Sequence, residues 1–121
     1  MAQYFSESEF RKCTPACHLS DMDGDFIALL DRVRAEAGIP LVLNSAYRSG
    51  AWELSHGRTG TSAHTKGQAV DIRCNTSANR YKIITAALRC GIKRIGVAHT
   101  YIHLDNSKTH AQDVIWDYYG G

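Results

Sequence analysis

Two histidines and one aspartate in this chain are spaced as ligands of a metal ion that the fold would have to bring together. His64 and Asp71 lie in the segment Ser62–Asp71, and His103 follows further along the chain. Two neutral imidazoles and one carboxylate form a three-ligand set that leaves the fourth position of Zn²⁺ open to water. Such open sites are typical of hydrolytic zinc, because the metal lowers the pKa of its bound water to about 7. The pattern therefore predicts one zinc ion in a hydrolytic site.

The residues around each predicted ligand alternate as they do along a β-strand, where every second side chain lies on the same face. Asp71 alternates with Val70 and Ile72, which we expect to enter the core. Gly67 offers a place for the chain to turn back, so that His64 can reach the same ion. One face of the second segment carries four chemically active side chains: His99, Tyr101, His103 and Asp105. This sorting favours a functional surface over a random polar loop.

Composition and charge are those of one globular domain. At 121 residues the chain is long enough for a single core, and we assign residues 1–121 to one domain. The hydrophobic share of 44% and the charged share of 21% are ordinary for such a protein. A net charge of +2, without a cluster of basic residues, argues against a nucleic-acid partner. We expect a monomer.

The N-terminal sequence and the apolar runs predict where the chain is made. Residues 1–7 lack the basic and apolar regions of a secretory signal peptide. The apolar runs are far shorter than the roughly 20 residues that a membrane span needs. We therefore expect synthesis in the cytoplasm and no insertion into a membrane.

The redox state of the cysteines is open to more than one interpretation. The chain has four of them: Cys13, Cys17, Cys74 and Cys90. An even count permits disulfides, but the missing signal peptide argues against an oxidising compartment. Pro15 breaks any helix that would align Cys13 with Cys17, and the repeated close spacing of a structural zinc site is not seen. We expect reduced, partly buried thiols, with a disulfide or a second metal site as the alternatives.

Two segments have the apolar periodicity of helices that bury one face. The first is predicted over 23–37, with Asp23 or Asp25 as its N-terminal cap. The second is predicted over 78–90, with Ser77 as its cap. A glycine follows each segment and is expected to end the helix.

Short apolar or alternating segments predict a sheet. The strands are expected at 41–45, 68–74, 95–98, 101–105 and 114–118. Helices and strands in this irregular order predict an α+β fold, with the helices packed on one face of a small, mainly antiparallel sheet. The polar, glycine-containing stretch 49–66 is predicted to be a long loop, and loops of that length are usually functional.

Three segments, Ser45–Ser49, Ser62–Asp71 and Tyr101–Asp105, together resemble a known family. Their motifs look like those of the zinc D-Ala-D-Ala carboxypeptidase family, and Ser-x-His-x-x-Gly-x-Ala-x-Asp is the most specific. Residues 4–10 and 114–116 also look like the small single-domain members. The family includes D-alanyl-D-alanine dipeptidases and phage L-alanyl-D-glutamate endolysins, and its metal fold is shared with hedgehog signalling domains.

The resemblance implies roles for five residues. Zinc would be held by His64, Asp71 and His103. Arg48 would lie near the substrate carbonyl or carboxylate and stabilise negative charge, and Ser62 would lie near the substrate carboxylate or backbone. The alternatives are a solvated loop arginine and a turn or cap hydroxyl. The implied substrate is a peptidoglycan stem peptide, which the chain would reach after lysis, through holin pores or in a virion.

One departure from the family concerns the general base. Relatives place a glutamate three residues before the second metal histidine, or a histidine two before it, and here those positions are Thr100 and Tyr101. His99 and Asp105 share a strand face with His103 and are candidate bases, while Tyr101 could stabilise the oxyanion. Alternatively, Asp105 orients His103 through its other ring nitrogen or lies in a surface turn. His99 could also simply pack or face solvent.

Three functions are compatible with these observations. The first is a zinc metallopeptidase of peptidoglycan, acting as a carboxypeptidase or an endopeptidase. The second is a zinc-containing wall-binding module without turnover, which the absent glutamate favours. The third is a structural phage component that carries the peptidase domain for local penetration of the wall.

Overall fold

The computed structural model describes residues 5–119, which contain four α-helices and five strands. Tyr4, from the N-terminal resemblance, lies outside this range. The helices are α1 (Glu7–Arg11), α2 (Gly24–Ala37), α3 (Gly50–Ser55) and α4 (Ser77–Arg89). The strands are β1 (Leu43–Ser45), β2 (Ala69–Arg73), β3 (Arg94–Val97), β4 (Tyr101–Asp105) and β5 (Val114–Asp117). Two 3₁₀ turns, Leu19–Asp21 and Ala63–Lys66, precede α2 and β2.

The strands form one sheet in the order β1-β2-β4-β3-β5. All neighbouring pairs are antiparallel except β3 and β5, which run parallel. In the register of β2 and β4, Asp71 lies directly opposite His103. Cross-strand neighbours have their Cβ atoms about 4.5–5.5 Å apart. The sheet itself therefore brings two of the predicted ligands together.

The hydrophobic core lies between one face of the sheet and helices α2 and α4. Val70 and Ile72 of β2 and Ile102 and Leu104 of β4 are fully buried in it, against residues such as Phe26 of α2. Because strand side chains alternate, the residues between them face away from the helices. The predicted α+β fold with a mainly antiparallel sheet is confirmed.

The two long helices lie where their periodicity predicts them. Asp23 caps α2, since its Oδ2 accepts a hydrogen bond from Phe26 N at 3.0 Å. The predicted cap of α4 is wrong by one residue: Ser77 is the first helical residue, and the Thr76 hydroxyl accepts from Asn79 N at 3.1 Å. Within residues 5–119, no helix has both the length and the apolar character needed to cross a membrane.

The predicted long loop over 49–66 is wrong, because α3 and the second 3₁₀ turn occupy much of it. Ser49 caps α3, with its hydroxyl accepting a hydrogen bond from Trp52 N at 3.0 Å. The buried residue of this helix is Glu53, which is charged. Helix α3 therefore lacks the apolar stripe by which an amphipathic helix is recognised.

The shorter elements also differ from their predicted bounds. Strand β4 agrees with the prediction at both ends, and the other four strands are shorter or shifted by one or two residues. Helix α1 was not predicted, although Ser6 and Glu9 form a capping box at its start. A helix of five residues is too short to show a periodic apolar face.

All four cysteines are free thiols. Cys13, Cys17 and Cys74 are buried in the core, and Cys90 is partly buried. The expected burial of the thiols is confirmed, and their reduced state stays a prediction.

Candidate metal centre

His64 reaches the sheet because the chain reverses at Gly67. His64 lies in the 3₁₀ turn before β2, and Gly67 ends that turn with a left-handed φ of 67°. The Gly67 carbonyl accepts a hydrogen bond from Asp23 N at 2.9 Å. A Cβ on Gly67 would lie 2.5 Å from the Asp21 carbonyl oxygen, so a larger residue would push this backbone apart. The reversal predicted at Gly67 is confirmed.

Each of the three predicted ligand residues contributes one donor atom, and the three donor atoms lie close together. His103 Nδ1 lies 2.9 Å and His64 Nε2 lies 3.4 Å from Asp71 Oδ1. The ligand atoms all lie within 4.8 Å of one another, and all three residues are buried. Two imidazole nitrogens and a carboxylate oxygen are ligands that Zn²⁺ favours, with bonds of about 2 Å. The donor set therefore fits one zinc ion.

The outward ring nitrogens of both histidines have hydrogen-bond partners. His64 Nδ1 lies 2.6 Å from the Ala46 carbonyl oxygen, and His103 Nε2 lies 2.6 Å from Asp105 Oδ2. Such contacts fix the tautomer and the orientation of a metal-binding imidazole. Asp105 is 1% exposed. It therefore lies in the orienting position behind His103 and not in a surface turn.

Charge within this cluster sets the ionisation of its members. Burial raises the pKa of Asp71, but hydrogen bonds from His103 and His64 outweigh burial and lower it. Burial lowers the pKa of His103, but its bonds to Asp105 and Asp71 raise it above the usual value. For Asp105, burial is again outweighed, chiefly by His103, and the pKa is lowered. Both carboxylates are thus ionised, so Asp71 can act as an anionic ligand and Asp105 can hold the ring of His103.

Arg48 is buried beside the ligands and is not a solvated loop residue. Its Nη2 donates to Asp71 Oδ2 at 2.9 Å, and its Nε donates to Ser45 Oγ at 3.0 Å. Its Nη1 lies 3.4 Å from Glu53 Oε2. Because Arg48 takes one oxygen of Asp71 and the histidines take the other, the carboxylate is held in one orientation.

Glu53 links Arg48 to Ser62 beneath the surface. It is fully buried and accepts hydrogen bonds from the Ser62 hydroxyl and the Ser62 amide. Burial raises the pKa of Glu53, but the bonds from Ser62 and then Arg48 lower it overall. Ser62 is therefore positioned by a buried carboxylate.

The cluster opens into a cleft of about 460 Å³, which is within the usual size of a small-ligand site. Half of the side chains in its walls can donate hydrogen bonds to a ligand: Asn44, Arg48, Trp52, Arg58, Tyr101 and Tyr118. Among the described residues that line it, Asp71 is the one carboxylate. The cleft is therefore complementary to a ligand rich in acceptor oxygens.

A comparison with protein families agrees with this centre. The sequence profile of the family named peptidase M15 matches residues 3–105, which include all three ligand residues. The chain belongs to the peptidase M15 family. No curated protein and no solved structure matches it significantly. The resemblance found in the motifs is thus confirmed, and the protein is a peptidase domain of a zinc-dependent, D-Ala-D-Ala carboxypeptidase-like family.

The M15 centre gathers most of the residues predicted for its site. Those that line the cleft are Arg48, Ser62, His64, Asp71, Tyr101 and His103. His99 does not join them: it is exposed in the turn before β4, and its ring packs on Tyr119 at a centroid distance of 4.3 Å. The strand alternation placed it on the ligand face, but the strand begins only at Tyr101.

Asp105 is also not free to act in the cleft of this M15 domain. Its Oδ2 faces His103, and its Oδ1 accepts from Arg94 Nε at 2.7 Å and from Ser107 N at 3.0 Å. Both oxygens are occupied on the far side of the histidine. The structure therefore places neither of the two candidate bases, His99 and Asp105, where it could take a proton in the cleft.

Three side chains of the M15 centre were missed by the sequence reasoning. Glu53 is a lone acid in a segment without periodicity, and nothing in the sequence marks it as buried. Trp116 and Tyr118 lie in and directly after β5, beyond the residues that the family profile matches. Their period-2 spacing is a signal that they share a strand face.

Proposed function

We propose that this M15 domain is a zinc peptidase that hydrolyses stem peptides of bacterial peptidoglycan, as a D-Ala-D-Ala carboxypeptidase or an endopeptidase. The observation that carries the proposal is the convergence of His64, Asp71 and His103 on the cleft. When bound there, Zn²⁺ would supply a Lewis acid that lowers the pKa of water and polarises a carbonyl. The domain would act as a monomer, reaching the wall after lysis or from a virion.

Arg48 is proposed to stabilise negative charge on the scissile carbonyl oxygen. Its guanidinium lines the cleft and is held by Ser45, Glu53 and Asp71, so it is fixed before substrate arrives. A preorganised donor of this kind stabilises developing charge without having to reorganise during the reaction. The buried partners of Arg48 thus support the role that the resemblance implies.

Tyr101 and Ser62 are proposed to bind the substrate backbone, Tyr101 as a hydrogen-bond donor and Ser62 as an acceptor. Burial raises the pKa of Tyr101, so its phenol remains protonated and can donate to a substrate oxygen. The Ser62 hydroxyl donates to Glu53, so its lone pairs are left to accept from a substrate N–H. Together the two side chains can orient a peptide across the ligands.

A wall-binding module without turnover is the second candidate function. It is favoured by the cleft itself, where Asp71 is the one carboxylate among the described lining residues and is committed as a ligand. General base catalysis needs an acceptor within hydrogen-bond reach of the proton. Neither His99 nor Asp105 has that placement.

Metal analysis combined with digestion of purified peptidoglycan tests both functions. We expect one equivalent of zinc in the unmodified protein and none in His64→Ala, Asp71→Ala and His103→Ala. The zinc-loaded protein should release free D-alanine if it is a carboxypeptidase, or internal stem-peptide fragments if it is an endopeptidase. Zinc-loaded protein that binds the wall and releases neither product would establish the binding module instead.

A further inference from the structure

Tyr118, directly after strand β5, lines the cleft and lies outside the residues matched by the family profile. Strand β5 runs parallel to β3 at the edge of the sheet. Gly96 of β3 pairs with His103 on one side and with Trp116 on the other. Trp116 is therefore two strands away from the predicted metal ligand His103, and the register places both residues on the same face of the sheet.

Gly96 makes room for two aromatic side chains over β3. A Cβ at this position would lie 2.7 Å from Trp116 Nε1 and 2.8 Å from the Tyr118 hydroxyl oxygen. Real Cβ atoms essentially never have contacts this short. The missing side chain thus lets the indole nitrogen and the phenol oxygen converge above the strand.

Trp116 is held in place from two directions. Its ring packs against the His103 ring at a centroid distance of 5.4 Å, and Arg94 Cζ lies 4.8 Å from its ring centroid. Arg94 also pairs with Asp105, the carboxylate that orients His103. The indole is therefore packed into the same network that fixes the metal ligand.

The Tyr118 hydroxyl already accepts one hydrogen bond, and its proton is available to be donated. Burial raises the pKa of Tyr118, while a hydrogen bond from the Trp116 side chain lowers it in part. The indole N–H is only a donor, so it occupies a lone pair of the phenol oxygen. The phenol proton is left to be donated. Tyr118 lines the cleft beside Tyr101, with ring centroids 5.6 Å apart.

We propose that the Tyr118 hydroxyl is a substrate-binding group that donates a hydrogen bond to a carbonyl or carboxylate oxygen of the bound peptide. Tyr118 lines the cleft together with the donors Arg48, Arg58 and Tyr101, so an acceptor oxygen is the partner that this part of the wall fits. Trp116 and Gly96 act through Tyr118 as positioning residues. This inference rests on the proposed function insofar as the ligand is a peptide.

The test compares Tyr118→Phe with Tyr119→Phe in zinc-loaded protein. Tyr119 is a matched control, because it is the neighbouring tyrosine and its hydroxyl donates to the Ala98 carbonyl, away from the cleft. The probe is a synthetic stem pentapeptide ending in D-Ala-D-Ala. Its Kd is measured by titration calorimetry, and kcat and KM are measured if it is cleaved.

We expect Tyr118→Phe to weaken Kd or raise KM about tenfold, which is the effect of losing one hydrogen bond. Zinc content and the midpoint of thermal unfolding should stay as in the unmodified chain, and Tyr119→Phe should bind the peptide normally. Gly96→Ala should weaken binding in the same direction, because it displaces the hydroxyl without removing it.

A probe whose last D-alanine is replaced by ethylamine, which has no carboxyl group, identifies the acceptor. If the penalty of Tyr118→Phe vanishes with this probe, the acceptor is the terminal carboxylate, and if the penalty persists, it is a main-chain carbonyl. Equal affinities of Tyr118→Phe and Tyr119→Phe would overturn this inference alone. If the peptide binds but is never cleaved, the proposed peptidase function is overturned, and the Kd values of the two variants still decide the role of Tyr118. If the peptide does not bind the unmodified chain, both proposals are overturned.

Discussion

His103 Nε2 and Asp105 Oδ2 lie 2.6 Å apart on the same face of β4. Residues two apart share a strand face, so one strand supplies both a predicted metal ligand and the carboxylate that orients it. Arg94, directly across on β3, holds the other oxygen of Asp105 at 2.7 Å. The orientation of the ligand is thus determined by two neighbouring strands and needs no loop.

Substitution of Asp105 by asparagine should weaken zinc binding about 10- to 100-fold, the usual effect of losing a charged partner behind a metal histidine. The reason is that a neutral amide holds His103 less firmly and makes its ring a poorer ligand. Competition with a chromogenic chelator measures the affinity. Asp25→Asn is the matched control, since Asp25 is exposed in the first turn of α2. Equal affinities in the two variants would contradict the orienting role.

Removal of the metal should lower the thermal stability of the unmodified protein. A ligand that binds only the folded state adds about 2.7 kcal/mol at a free concentration of 100 times its Kd. Thermal unfolding followed by circular dichroism, with zinc and then with excess chelator, measures the difference. His64→Ala should show no zinc-dependent shift. A midpoint that ignores chelator in the unmodified chain would argue against a bound ion.

Glu53 should contribute stability that depends on pH. Its pKa in the folded protein is below the ordinary value of 4.5, so its contribution is complete above that value. The contribution is lost as the pH falls through the lowered folded-state pKa. Glu53→Gln should therefore cost about 3 kcal/mol near neutral pH, as expected when a buried ion pair loses one partner, and less in acid.

Urea unfolding of Glu53→Gln and the unmodified protein at several pH values measures this dependence. Glu36→Gln provides the control, because Glu36 pairs with Arg89 on the exposed surface at 3.3 Å. An exposed pair of that kind contributes about 0–1 kcal/mol. A cost for Glu53→Gln that stays constant down to strongly acidic pH would show that the charge of Glu53 is not what stabilises the fold.

Alanine at Gly67 should destabilise the protein more than alanine at Gly57. Both glycines have a positive φ, and the two changes share a backbone strain of about 1–2 kcal/mol. A Cβ at Gly57 meets nothing within 4 Å, whereas at Gly67 it meets the backbone of Asp21, Met22 and Asp23. The difference in unfolding free energy between the two variants isolates this contact. Equal losses would mean that the backbone of 21–23 moves away freely.

The metal ligands could be predicted from sequence because the pattern around each follows local rules and because the motifs that contain them resemble those of a known family. Alternation in β2 and β4 places Asp71 and His103 on one face, and Gly67 explains how His64 returns to it. The same rules place His99 on the ligand face, which is wrong because His99 precedes the first residue of β4. Alternation holds only as far as the strand is paired, and the sequence does not show where pairing begins.

The rest of the cleft depends on contacts between segments that are distant in the chain. Glu53 is buried because Arg48 and Ser62 meet it, and no periodic pattern announces a buried acid. Through the parallel pairing of β3 with β5, Trp116 packs on His103 and Tyr118 reaches the cleft. Strand partners are a property of the whole sheet, so local propensity could place β5 as a strand without placing its neighbours.

Strand β4 separates two kinds of constraint at single-residue spacing. Ile102 and Leu104 are locked into the apolar interior, while Tyr101 projects into the opening where a substrate would bind. Substitutions at Tyr101 can therefore alter selectivity with little loss of stability, whereas substitutions at Ile102 and Leu104 would cost core packing. In this molecule, substrate selectivity and fold stability can therefore change independently at neighbouring positions of one short strand.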